Sequence, residues 1–131
     1  MPIKLQSLKA DLARENEGDW VEIPELPGVR LKVRSFHSPA YKTARDLAVQ
    51  RLFRKFGKEP VPPETLAKEY GRLYAEHILL GWDGFDTAYT PELALELLAD
   101  PAWRALFAAI EYAANKLADV ETEFVESAEK N

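Results

Sequence analysis

Three times this chain sets a capping side chain directly ahead of a proline: Ser38-Pro39, Thr90-Pro91 and Asp100-Pro101. A Ser, Thr or Asp side chain can accept from the free amides of a helix's first turn. A proline at the first helical position gives up only an amide that has no helical partner there. Each pair therefore predicts a helix start. The connector Lys58-Glu59-Pro60-Val61-Pro62-Pro63 is too rich in proline to be helix. Together these signals divide the chain beyond Ser38 into four helices. The first runs from Pro39 to Phe56 and stops at Gly57, with Tyr41, Ala44, Ala48, Leu52 and Phe56 as its apolar stripe and Leu47 and Phe53 widening it. The second spans about Glu64 to Leu80, and a short third begins at Thr90 and ends near Ala99. The last runs from Ala102 towards Ala128 with no Gly or Pro to interrupt it.

Ahead of the helices the period changes. Val29, Leu31 and Val33 alternate with Arg30, Lys32 and Arg34, as in a half-buried strand, and Trp20 to Ile23 is a second strand-like run across the turn Pro24-Glu25-Leu26-Pro27-Gly28. An isolated hairpin is marginal in water, so its apolar face must rest on helices. The expected fold class is α+β, mainly α: an N-terminal β-hairpin packed on a small helical bundle with a long C-terminal helix. The whole of 1–131 reads as one domain, with 1–18 as a tail, 20–36 as the hairpin and 39–128 as the helical part.

The side chains argue against several kinds of chemistry. There is no cysteine, so neither disulfide nor thiolate-metal site is expected. Of the two histidines, His37 adjoins a helix start and His77 lies on an apolar helix face, where a packed residue is the ordinary reading. No glycine pattern cradles a phosphate, and Asp83-Gly84-Phe85-Asp86 lacks the spacing of a calcium loop. Catalytic, cofactor and metal residues are all expected to be absent, and the protein is expected not to be an enzyme. No apolar run is long enough to cross a bilayer, and Met1 to Leu5 has no signal-peptide core, which predicts a soluble intracellular protein.

Charge is distributed unevenly. Arg30 to Lys58 holds nine Lys or Arg against one acid, a charge of +8, whereas Asp83 to Asn131 holds eleven acids against three bases, −8. Arg45, Arg51, Arg54 and Lys55 lie on the polar side of the first long helix and could follow phosphates or meet an acidic partner. The chain as a whole is acidic, net −5, which makes nucleic-acid binding the lesser reading. Unlike poles can fold against each other or join neighbouring copies.

In the last helix Trp103, Leu106, Ile110, Ala113, Leu117, Val120 and Phe124 recur at spacings of three and four, a coiled-coil-like seam. Trp103 to Leu117 is expected to be core. Val120 and Phe124, flanked by Asp119, Glu121, Glu123, Glu126 and Glu129, are expected near the domain edge, meeting another chain or partly exposed. That acidic end is expected to fray in isolation, because the helix dipole disfavours negative charge there. The loop Gly81-Trp82-Asp83-Gly84-Phe85 holds two aromatics where polar residues are usual. Trp82 reads first as a packing anchor, and Trp82 with Phe85 second as a partner-binding pair.

The succession of Gly18-Asp19-Trp20-Val21-Glu22-Ile23, Val33-Arg34, a helix near Tyr41, Leu80-Gly81-Trp82-Asp83-Gly84, Tyr89-Thr90-Pro91-Glu92 and Leu97-Leu98-Ala99-Asp100-Pro101 resembles the tail assembly chaperones of long-tailed bacteriophages and prophages. The resemblance covers roughly Gly18 to Phe124. It implies a non-enzymatic chaperone that binds the tape measure protein and itself in the host cytoplasm and is not retained in the mature virion. It also implies a homo-oligomer. A longer, frameshifted product would reach the major tail protein, its joint falling at Glu129-Lys130-Asn131, residues that a slippery codon run can encode. The alternatives are a structural head–tail completion or tail component, or a small nucleic-acid-binding regulator.

Overall fold

The computed structural model describes residues 1–126; the expected frameshift joint lies outside them. The element order is a short 3₁₀ turn (Leu5–Leu8), α1 (Leu12–Glu17), β1 (Asp19–Glu22), β2 (Arg30–Val33), α2 (Pro39–Phe56), α3 (Pro63–His77), β3 (Leu79–Asp83), α4 (Pro91–Leu98), a 3₁₀ turn (Pro101–Trp103) and α5 (Arg104–Ala118). The fold class is α+β and mainly helical, as expected.

The hairpin forms with Val21 opposite Leu31, but it is not the whole sheet. β3 adds antiparallel to β2, placing Trp82 opposite Leu31 and making β2 the central strand. So 39–128 is not purely helical. The second long helix ends at His77 rather than Leu80, Ile78 closes it, and Leu79–Asp83 is extended. A run such as Leu79-Leu80-Gly81-Trp82 is buried in either conformation, and only a neighbouring strand with free hydrogen bonds decides. The segment 1–18 is likewise more than a tail. Asp11 caps α1 by accepting from the Arg14 amide at 3.1 Å, and Glu15 is buried with its carbonyl accepting from the Ser35 amide at 3.0 Å.

Leu31 and Val33 are sealed from solvent, and α5 lies across β1 and β2 with Ile110, Ala113, Ala114 and Leu117 buried. The small alanines let helix and sheet approach closely. Ile110 and Leu31 each contribute about 1.5–3 kcal/mol by leaving water. α2 keeps Tyr41, Ala48 and Leu52 inside, as its stripe requires. Leu47 and Phe53, expected to widen that stripe, are exposed instead, because α3 alone among the elements packs extensively on α2. Of the three expected caps, Thr90 accepts from the Leu93 amide at 3.1 Å and Asp100 from the Ala102 amide at 2.9 Å. The Ser38 hydroxyl caps no amide and is buried with no partner among the described residues; α2 starts on Pro39 alone.

The long C-terminal helix is shorter than its periodicity suggests. α5 has 15 residues and ends at Ala118, one residue past Leu117, the last of its residues to be buried. Beyond it there is no core to cover, the dipole opposes Asp119 and Glu121, and Val120, Thr122 and Val125 favour extended backbone. The chain runs back to the N-terminus instead. Ile3 bridges Phe124, the Lys4 amide donates to the Glu123 carbonyl at 2.6 Å, and the Val125 amide donates to the Pro2 carbonyl at 2.8 Å. The Lys4 ammonium lies 3.6 Å from the Glu123 carboxylate. Val120 and Phe124 therefore belong to a terminal clasp and not to a helical seam, and from Asp119 the chain is no longer helical; Glu129 lies outside the described residues.

One aromatic cluster joins the layers. Tyr74 stacks on Phe107 at 4.4 Å between ring centroids, Phe36 and Tyr41 close around it, and the Tyr74 hydroxyl donates to Glu111 at 3.0 Å. Burial first, then the negative charge of Glu111, holds the Tyr74 phenol protonated well above its ordinary 10.0. Burial also raises Tyr41 and Tyr89. These groups keep their protons longer folded than unfolded, so their contribution to stability is full below pH about 10 and falls as pH rises above it. Urea midpoints should be flat from pH 8 to about 10 and then decline steadily; a constant midpoint through that alkaline range would contradict it.

Candidate functional site

β3 ends at Asp83 in a tight reversal through Gly84, whose φ of +97° places it where L side chains strain. A Cβ there would lie 2.2 Å from the Gly28 carbonyl oxygen, so the β1–β2 turn and the β3 turn touch backbone to backbone. This juxtaposition brings Leu26 beside the aromatic pair. Trp82 is buried and donates from Nε1 to the Thr87 carbonyl at 2.7 Å. Phe85 and Tyr89 meet its ring edge-on at 5.8 and 5.1 Å. The Tyr89 hydroxyl reaches back to the Leu79 carbonyl at 3.3 Å. Trp82 is thus a packing anchor, on a strand and not in a loop.

The anchored Trp82 forms one wall of an apolar groove of about 480 Å³. Leu93 and Leu97, one turn apart on α4, form the second wall; Leu106 and Ala105 of α5 close the floor, and Leu26 and Trp103 flank it. Asp86 is the one ionisable residue of the lining. Trp103, expected in the core, is 45% exposed, and Phe85 is 40% exposed. The reason is the Asp100 cap: it sets Pro101–Trp103 into a 3₁₀ turn ahead of α5, so Trp103 precedes the helix whose seam it was expected to join. That cap is visible in the sequence and could have placed Trp103 correctly.

The remaining candidates lie apart from the groove. Arg45, Arg51, Arg54 and Lys55 are on α2, where Arg45 pairs with Asp46 at 3.3 Å and Arg51 with Glu69 of α3. Val120 and Phe124 are on the clasp. Among the described residues no group of three or more His, Asp or Glu side chains is placed to hold a metal ion. His77 is half-buried beside Glu76 at 3.8 Å. No helix among the described residues is long and apolar enough to cross a membrane.

The profile of the YdaY prophage protein family matches residues 36–131. The chain belongs to the YdaY prophage protein family. The YdaY match takes in α2, α3, β3, α4, α5 and every groove residue except Leu26, and it leaves out the N-terminal hairpin. A prophage origin agrees with the phage part of the sequence resemblance. No curated protein and no solved structure matches the chain.

Proposed function

We propose that this prophage protein is a non-enzymatic tail assembly chaperone that holds the tape measure protein and binds itself during tail assembly. The observation that carries the reading is the groove: an apolar trough with Trp103 and Phe85 left open to water and Trp82 fixed beneath them. Such a site suits the apolar face of an amphipathic helix, the form in which a long, aggregation-prone, helical partner would present itself. Aromatic side chains in a preformed trough supply affinity at small ordering cost, and the near absence of charged lining lets many different segments bind. The order of the Gly-Trp strand, the Tyr-Thr-Pro-Glu helix start and the Leu-Leu-Ala-Asp-Pro step supports the same reading. So does prophage membership. The chaperone acts in the host cytoplasm and leaves before the virion matures; a longer product would extend it towards the major tail protein.

Calorimetric titration with helical fragments of a phage tape measure protein tests this. Trp103→Ala should weaken fragment binding by about thirtyfold or more, as a tryptophan contact of roughly 2 kcal/mol requires, with an unchanged melting temperature. Equal binding by wild type, Trp103→Ala and Phe85→Ala would reject the groove as the site. Recovery of the protein in purified particles would favour a structural tail component instead.

A further inference from the structure

We infer that the protein assembles head to tail, the exposed flank of α2 in one copy seating on the terminal clasp of the next. The inference rests on the self-binding half of the chaperone reading and does not use the groove. Val49 and Phe53 lie four residues apart on α2, hence stacked on one flank, and both are exposed, Phe53 by 71%. Around them Lys42, Arg54 and Lys55 make no ion pair among the described residues. The clasp is the complement. Val120, Phe124 and Val125 are exposed, Phe124 by 52%, in a stretch from Asp119 to Glu126 that holds four acids and no base. Of those acids Glu123 alone is paired among the described residues, to Lys4.

The decisive point is that the poles do not neutralise each other within a copy. Among the described residues a single ion pair, Arg30 to Asp83 at 3.0 Å, joins the basic segment to the acidic one, and none joins α2 to the clasp. Each copy therefore presents an apolar ridge framed by positive charge and an apolar edge framed by negative charge. Exposed ion pairs are weak singly, so Val49, Phe53, Val120 and Phe124 supply the affinity while charge selects orientation and speeds encounter. Two α2 flanks face to face would set like charges together, as would two clasps. The contact is heterologous, and repeating it gives a ring or an open filament.

Sedimentation velocity on the full chain tests this with Phe53→Asp and Phe124→Lys. Wild type should show a weight-average mass that rises with concentration at low salt, at least about doubling, and falls back as salt is added. Each variant alone should stay at the mass of one chain. Their equimolar mixture should recover a dimer and stop there, because one variant keeps a sound clasp and the other a sound α2 flank. Both side chains are exposed, so circular dichroism should be unchanged; Val49→Asp with Val120→Lys repeats the test should either variant misfold. A wild type of single-chain mass at every concentration, or a mixture that forms no dimer, overturns the inference. Tape measure fragments bound equally by wild type and Phe53→Asp would leave the groove reading standing alone, which keeps the two failures distinct.

Discussion

Trp82→Ala is expected to lower the stability of the fold by about 3–5 kcal/mol and its melting temperature by on the order of 10 °C or more. Trp82 ties several parts of the molecule together. Its backbone pairs β3 to β2 opposite Leu31, its indole N–H satisfies the Thr87 carbonyl, and its ring is wedged between Phe85 and Tyr89. Removing the ring leaves a cavity beneath the groove and an unmatched carbonyl at its edge. Trp82→Phe separates the two effects: it restores most of the area and forfeits the hydrogen bond, a loss of about 1 kcal/mol. Thermal unfolding followed by circular dichroism reads both. An unchanged melting temperature in Trp82→Ala would mean that the ring serves a partner and not the fold.

The second large effect is expected from the smallest change, Gly71→Ala. In the middle of a helix alanine is intrinsically favoured over glycine by about 1 kcal/mol. Position 71 reverses that preference. A Cβ on Gly71 would lie 1.9 Å from the Leu98 carbonyl oxygen and 2.8 Å from its carbon, atoms of backbone at the end of α4 that cannot swing aside. α3 and α4 would have to separate, uncovering Leu73 and Leu98 and shifting Leu93 and Leu97 at the groove. The net loss should be about 2 kcal/mol or more, the overpacking cost outweighing the propensity gain. A denaturant midpoint equal to or above wild type would show that α4 can slide without cost. Fragment binding should weaken in the same variant, since one groove wall moves with α4.

How much of this was legible in the sequence depended on whether a residue's conformation is decided locally. The alternation at Val29, Leu31 and Val33 and the Thr90 cap are local signals, and the structure follows them. Gly57 ends α2 where a glycine stop was expected. β3 was not legible because Leu79-Leu80-Gly81-Trp82 continues the apolar spacing of α3. Its conformation is set by β2, which lies some fifty residues earlier in the chain. The end of α5 was misread for the converse reason. The spacing of three and four persists through Val120 and Phe124, but periodicity holds a helix together only while a core covers the stripe, and the core ends at Leu117. At the candidate site Trp82 and Phe85 stood out as aromatics beside glycines. Leu93 and Leu97 did not, since a leucine on a short helix reads the same whether it meets a neighbouring helix or borders a trough.

The clasp has a consequence for the order of folding. Lys4 and Glu123 are hydrogen-bonded across nearly the whole length of the chain, so closing them encloses every other element in one loop. That closure gains little from burial, because Ile3 and Phe124 remain largely exposed, and its entropic cost is bearable only after the sheet and helices have shortened the distance between the ends. The Ile3 strand of the clasp waits for a partner, Phe124, that lies far along the chain. The clasp is thus expected to be the last of these structures to form and the first to open.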